Sequence, residues 1–488
     1  MNRVTPARSL PEGQGLDERV FPGSTLIVLA AFASIEVVAL GYRSELSRVS
    51  VDTAAALAVL GVAGSWLALK WVAPNRAWSA GNIYLLTFAL FHAGLAAVDL
   101  GPWTPSDAKA RGLATWFRPE LVAAAFVLVG ISAVALVVGY ALLALFRSSG
   151  ARAEGAVSKQ DAMRRAAARA GCVLEVAGVA SWFFVVGRAI GLSGLLGAYS
   201  GFSAARPDLP LGLPTLLVGF GIILLASASP GAFRRTGLVA FGCFTLIALP
   251  LGLRGEVLFP CAAALVVAAR RRGWTKGWPL LAGIVVMLSF VSVIGSVRQG
   301  GVSRVDLASL DARPTDALVE LGGTLRAVTE AEIWVRTRGE TLSGGTYVAS
   351  VQQLIARYVP LVRAPDPHDP RLVDRRLNEQ AETPSGIGSS PVAEGYANGM
   401  PALLLFFVGL GALLAWLDFM PRTPLSEWVV GLVLFPFLID IRNGFEVVPF
   451  QASVGGLIAV GLAWSVGLMG FSRARRTRMQ RTLRMGRV

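Results

Sequence analysis

The chain of 488 residues is 54% apolar and only 16% charged, with a mean hydropathy of +0.59. Forty-five Lys and Arg against 31 Asp and Glu leave a net charge of +14. A soluble enzyme is excluded, since roughly a quarter of a soluble domain is charged, and short basic clusters between long apolar stretches point to a polytopic membrane protein with no call for nucleic acid.

Residues 1–22 are polar, and the apolar stretch after them is long enough to span, so the first helix is expected to stay in the membrane uncleaved. A crossing needs about 20 mostly apolar residues. Such segments predict an all-α fold with about 12 transmembrane helices: 23–42, 52–73, 80–99, 119–146, 170–193, 210–230, 236–253, 254–270, 277–297, 400–419, 425–441 and 447–470. Nine of them fall in 23–297 and three in 401–470. Short loops rich in Lys and Arg stay cytoplasmic. The tail 471–488 holds seven Arg and no acid, which places it inside, and an even number of spans places the N-terminus there too. The same register puts Lys70 and Arg76, the 147–169 loop, Arg234 and Arg235, and Arg270 to Lys276 on the cytoplasmic side.

Residues 298–400 form a polar insert with 13 acidic residues, 11 Arg and no Lys, expected outside the cytoplasm. Apolar spacing at Leu318, Leu321, Leu325, Val328 and Ile333 predicts one helix over 315–335, and 347–358 reads as another. A Pro-rich turn at 362–370 and a Gly/Ser stretch at 384–390 follow. Inserts of this length are usually functional.

Charges at membrane depth cost about 2.5–3.5 kcal/mol on insertion scales. Arg254 and Glu256 open the eighth span in Leu-Arg-Gly-Glu, either as a pair sealing a helix end or as part of an anion site. Arg298 ends the ninth span, and Asp440 and Arg442 end the eleventh, so three helix ends present Arg at the external surface. Three guanidiniums there suit a diphosphate. Glu36, Glu175 and Arg188 lie within spans, and His92 reads as a hydrogen-bonded core residue. His368, between Asp366 and Asp369, is a candidate general base or an inert loop residue. In Gly-Ile-Gly-Ser-Ser-Pro-Val-Ala-Glu-Gly-Tyr-Ala-Asn-Gly, 386–399, a turn is followed by Glu394, Tyr396 and Asn398, side chains suited to sugar hydroxyls and sugar faces. Cys172, Cys243 and Cys261 read as buried small apolar residues without ligand spacing, and neither a metal site nor a nucleotide loop is expected.

The order Arg-Gly-Glu at 254–256, Arg298, the insert ending in the 386–399 motif, and Ile-Arg-Asn-Gly at 441–444 resembles the O-antigen polysaccharide polymerase (Wzy) family over roughly residues 170–445. The resemblance implies a metal-independent, cofactor-free membrane glycosyltransferase of the GT-C type in the bacterial inner (cytoplasmic) membrane. It would join undecaprenyl-diphosphate-linked oligosaccharide repeat units on the outer face and release undecaprenyl diphosphate, with membrane lipids, a chain-length regulator and a flippase as further partners. On this reading Arg254, Arg298 and Arg442 bind diphosphate, Glu256 or Glu394 is the base with His368 as the alternative, and Tyr396, Asn398 and Asp440 hold saccharide. An O-antigen ligase or another lipid-linked glycosyltransferase shares this logic. A transporter of lipid-linked oligosaccharide is the reading from another class, and the absence of an internal repeat speaks against it.

Overall fold

A computed structural model describes residues 49–73, 76–101, 105–146, 157–195, 199–205, 209–300, 313–339, 341–366, 368–381 and 387–485, without the side chains of 76, 108, 157–158, 192–193, 199–200, 203, 295–300 and 467–485. Among them the regular structure is entirely helical. The helices in chain order are α1 (Val51–Val72), α2 (Ala80–Leu100, with a π turn at Ala89–Ala93), α3 (Asp107–Ala114), α4 (Pro119–Leu145), α5 (Val157–Leu195) and α6 (Tyr199–Ala205). There follow α7 (Gly212–Ser227), α8 (Ala232–Ala248), α9 (Arg254–Arg272) and α10 (Trp278–Gly300). The insert supplies α11 (Pro314–Gly322), α12 (Leu325–Arg338), α13 (Gly345–Tyr358), α14 (Val373–Gln380) and α15 (Pro391–Ala397). The chain ends in α16 (Met400–Asp418), α17 (Pro424–Asn443) and α18 (Val448–Met485).

Seven described helices are long and apolar enough to cross a membrane: α1, α2, α4, the 159–191 part of α5, α16, α17 and the 445–466 stretch. Gly212–Ser227 and Trp278–Ile294 are shorter apolar helices. A helix stands at each expected span from 52–73 onward; the first, 23–42, lies outside the described residues. The protein is an all-α polytopic membrane protein.

The bundle is built around α4, which is buried over most of its length between α1 and α16. Small residues let these helices touch, as membrane packing requires. A Cβ on Gly139 would sit 1.8 Å from the Val408 carbonyl oxygen, and one on Gly411 would sit 1.8 Å from that of Leu136. At one end of the bundle, polar groups buried in pairs fix the crossing helices. The Asp418 carboxylate accepts the Ala80 and Gly81 N–H groups at 2.7 and 3.1 Å and the Tyr140 hydroxyl at 2.9 Å, capping the start of α2. Arg270 donates to the Leu417 and Asp418 carbonyls, and Arg164 grips Glu427 through two 2.9 Å hydrogen bonds.

The insert packs on the opposite end, where α9 begins. Two helices replace the single one expected over 315–335, because Gly323 and Thr324 interrupt the turn between α11 and α12. Leu321, Leu325 and Val328 are buried as the spacing predicts, and Leu318 and Ile333 are partly buried. The main chain of α11 lies against Gly94 and its Gly322 against Leu95, so this helix rests directly on α2. Of the cysteines, Cys172 is buried and Cys261 partly so, while Cys243 is exposed on α8, against the expectation of burial.

Candidate functional site

The 386–399 and 441–444 motifs meet in space. Gly388 takes φ +73, and the space a side chain would fill there is occupied by the Arg442 carbonyl oxygen, which also accepts the Ser389 N–H at 3.1 Å. Ser390 caps α15, its Oγ accepting the Ala393 N–H at 3.0 Å with Pro391 in the first turn. That cap aims Glu394, only 3% exposed, at the end of α17. Its Oε2 accepts the Phe445 N–H at 2.7 Å, and Gly444, at φ +75, leaves just enough room for the carboxylate.

Four carboxylates gather here. Burial pushes Glu394 up to about 7; the Thr346 hydroxyl and the Phe445 N–H oppose the rise and the nearby Glu446 adds to it. Asp374 on α14 is also raised, by burial and then by the charge of Glu446 and a hydrogen bond to it. Asp440 is fully buried, and neither of its oxygens has a hydrogen-bond partner among the described residues. Tyr347 on α13 reaches towards the same place: burial, then the Glu394 and Asp440 carboxylates, raise its hydroxyl, which also lacks a partner among the described residues. The Tyr84 hydroxyl of α2, equally without one, lies within electrostatic reach of Asp440. Aromatic rings wall this polar centre, with Tyr347 stacked on Phe406 at 5.3 Å and edge-on to Phe445 at 5.4 Å. Buried carboxylates and phenols with unused hydrogen-bonding capacity can accept from and donate to a polyhydroxylated ligand, and one near-neutral carboxyl can exchange a proton with it. No group of carboxylates, His or Cys among the described residues is arranged to hold a metal ion.

Arg254, 4% exposed, pairs with Glu320 of α11 at 2.7 Å, and Lys109 of α3 holds the other Glu320 oxygen at 2.9 Å. Burial raises Glu320, but the charge and hydrogen bond of Arg254 and then those of Lys109 overcome it and bring it down to about 2. Glu256 is partly buried in the first turn of α9. Arg442 is exposed at the end of α17, and the Arg298 side chain lies outside the described residues. His368 is exposed in the 362–370 turn; its N–H is held by Asp366 at 2.8 Å and its carbonyl by Arg376. Tyr396 is buried on α15. Asn398 joins helices: its amide donates to the Thr346 hydroxyl at 2.6 Å and the Glu394 carbonyl at 2.9 Å. His92 is buried, its Nδ1 3.3 Å from the Phe88 carbonyl oxygen, as a core histidine should be. A cavity of about 760 Å³ between α2, α9 and α10 is lined by Leu90, Leu258, Cys261, Leu265, Trp274 and Met287.

The motifs thus bring Glu394, Asp440 and the Arg442 main chain together. Sequence reasoning missed Tyr84, Tyr347, Asp374, Glu446 and the partners of Arg254. Tyr84 within an apolar span and Glu446 at the head of another were the available signals.

These features define a helical membrane protein whose polar insert covers a buried carboxylate site at one end of the bundle. The sequence profile of the O-antigen polysaccharide polymerase Wzy family matches residues 67–460, and the chain belongs to that family. Its spans and its family make it a protein of the bacterial inner membrane. It is similar to Protein CapE of Staphylococcus aureus, 27% identical over 210 residues, which are 42% of this chain and 44% of that protein. The chain therefore aligns with less than half the length of this curated relative. No solved structure matches it.

Proposed function

We propose that the protein is a polysaccharide polymerase that joins undecaprenyl-diphosphate-linked oligosaccharide repeat units at the outer face of the inner membrane. The observation that carries the reading is Glu394, a buried carboxyl raised to about 7 near the buried Asp440, whose carboxyl oxygens have no hydrogen-bond partner among the described residues. In the reaction Glu394 takes the proton from the acceptor sugar hydroxyl. The freed oxygen pair forms the new bond to the anomeric carbon of the growing chain, while the bond from that carbon to the diphosphate oxygen breaks. Its electron pair leaves with undecaprenyl diphosphate.

Charge develops on the departing diphosphate, so fixed guanidiniums favour the transition state. Arg254 supplies one, oriented by Glu320 at the N-terminus of α9, where main-chain N–H groups also favour an anion. Arg298 and Arg442 are the other two. Asp440, Tyr396 and Asn398 line the saccharide side, Asn398 by holding α13 against α15. Glu256 and His368 remain the alternative bases. The 760 Å³ apolar cavity beside α9 has room for part of an isoprenoid tail.

Purified protein in proteoliposomes with a lipid-linked repeat unit tests the reading. Polymer should appear together with undecaprenyl diphosphate, and Glu394→Gln and Arg254→Ala should abolish or greatly slow it. Wild-type turnover by either variant overturns the assignment.

A further inference from the structure

The site is walled on one side by α13, and the other side of that helix carries an apolar stripe. Val348, Val351, Ile355 and Tyr358 recur at i, i+3, i+7 and i+10 and are all exposed, Val348 to 59% and Tyr358 to 56%. Val359 and Leu361, the latter 94% exposed, continue the stripe past the helix end. The opposite face is buried or partly so and largely polar: Thr346 and Ser350 are buried, Thr346 meets Asn398, and Gln353 donates to Glu446 at 3.1 Å. A contiguous apolar patch on a polar insert needs an occupant.

The anchoring of α13 identifies the occupant. Near its N-terminus the Tyr347 ring stacks on Phe406, which lies six residues, about 9 Å, along α16. Near its C-terminus the Arg357 guanidinium sits 4.2 Å from the ring centre of Phe450, in the first turn of α18. Both ends of the helix are therefore pinned to the ends of membrane-spanning helices, and its axis runs along the membrane surface instead of away from it. The spans it touches turn exposed apolar side chains to the surroundings, Leu405 on α16 and Leu457, Val460 and Trp464 on α18. The stripe on α13 continues that surface. Arg357 and Arg363 are exposed beside it, where long cationic side chains reach headgroup phosphates.

We propose that α13 is an interfacial helix, seated in the headgroup and upper acyl region of the leaflet on the insert's side, with Val348, Val351, Ile355 and Tyr358 in contact with lipid. One face of the helix then floats on the membrane while the other carries Thr346 and Tyr347 into the carboxylate site. The site wall is set at the depth of the lipid headgroups. This placement is independent of the reaction the site performs.

Depth measurement by spin labelling tests it. Full-length protein with Cys172, Cys243 and Cys261 replaced by Ala is reconstituted in nanodiscs of phosphatidylethanolamine and phosphatidylglycerol. A single nitroxide is attached to Val351→Cys, Ile355→Cys or Leu361→Cys, and collision with oxygen is compared with collision with a water-soluble nickel chelate. Glu379→Cys on α14 serves as the aqueous reference and Leu457→Cys as the lipid reference. The oxygen-to-nickel ratio is expected to be several-fold above the Glu379 value at Val351 and Ile355, approaching that of Leu457. A ratio equal to the aqueous reference means the stripe faces water, and protection from both reagents means a protein covers it; either result overturns the proposal. Leu361→Cys and Val348→Cys read the same surface should one of the helix variants fail to fold.

Discussion

Glu394 accepts a 2.7 Å hydrogen bond from the main-chain N–H of Phe445, a residue 51 positions further along the chain. This contact locks the short helix α15 to the end of α17 and seats a carboxyl within electrostatic reach of Asp440 and Glu446. The bond favours the charged form of Glu394, whereas burial disfavours it by more, and the balance leaves the group near neutrality at about 7. A general base works best with its pKa close to the working pH.

Activity and stability should both depend on pH through Glu394. Polymer formation by the wild type should rise through about pH 7 as Glu394 ionises, and Glu394→Gln should lose activity at every pH. The folded pKa lies above the ordinary 4.5, so the neutral carboxyl stabilises the fold. That contribution is fully present below pH 4.5 and is lost as pH rises through about 7. Its size is on the order of 3 kcal/mol. Thermal unfolding in detergent across pH 4–8 should show wild type losing stability over this window and Glu394→Gln staying flatter.

The triad of Arg254, Glu320 and Lys109 has the opposite sign. Glu320 is held at about 2, so its stabilising contribution is complete above 4.5 and is lost as pH falls through about 2. Glu320→Gln leaves the guanidinium of Arg254 buried without its counter-charge, which costs about 3–5 kcal/mol when a buried pair is broken. The variant should melt well below wild type at neutral pH, and the gap should narrow as the pH is lowered. An unchanged melting temperature at neutral pH refutes the structural role given to this pair.

The contrast between these two sites explains what the sequence can reveal. Helices stand at the expected positions because span length and apolar content are local properties, and the 386–399 and 441–444 motifs marked residues that do meet. The break at Gly323 and Thr324 was hidden because the apolar spacing runs on through it at helical period. Pairing was harder to read. Arg254 faces Glu320 and not the neighbouring Glu256, since α11 folds back onto α2 through Gly94 and Gly322, and no local pattern records that approach. Asp374, Tyr84 and Tyr347 likewise enter the site from three separate helices, each unremarked in its own segment.

Packing of α4 against α16 offers a test free of ionisable groups. At Gly411 a Cβ would overlap the Leu136 carbonyl, whereas at Gly409, two residues away, nothing lies within 4 Å. Gly411→Ala should lower stability by about 1–3 kcal/mol or more, the usual cost of overpacking, and Gly409→Ala should leave it unchanged or slightly raised. Denaturant titration of both variants in the same detergent provides the comparison.

Asp440 separates stability from function. Its two carboxyl oxygens are buried without hydrogen-bond partners among the described residues, so the folded protein carries a desolvated acid there. Asp440→Asn keeps the shape and replaces the acid by an amide. If the carboxyl exists to bind saccharide hydroxyls, this variant should melt at or above the wild-type temperature while its rate of polymer formation falls up to about tenfold, the equivalent of one lost hydrogen bond of roughly 0.5–1.5 kcal/mol. The loss should appear in the KM for the lipid-linked acceptor more than in kcat, because binding of hydroxyls is shared by the ground and transition states. A variant that loses stability and activity together would instead make Asp440 a fixture of the fold, and the saccharide side of the site would then have to be sought elsewhere around Glu394.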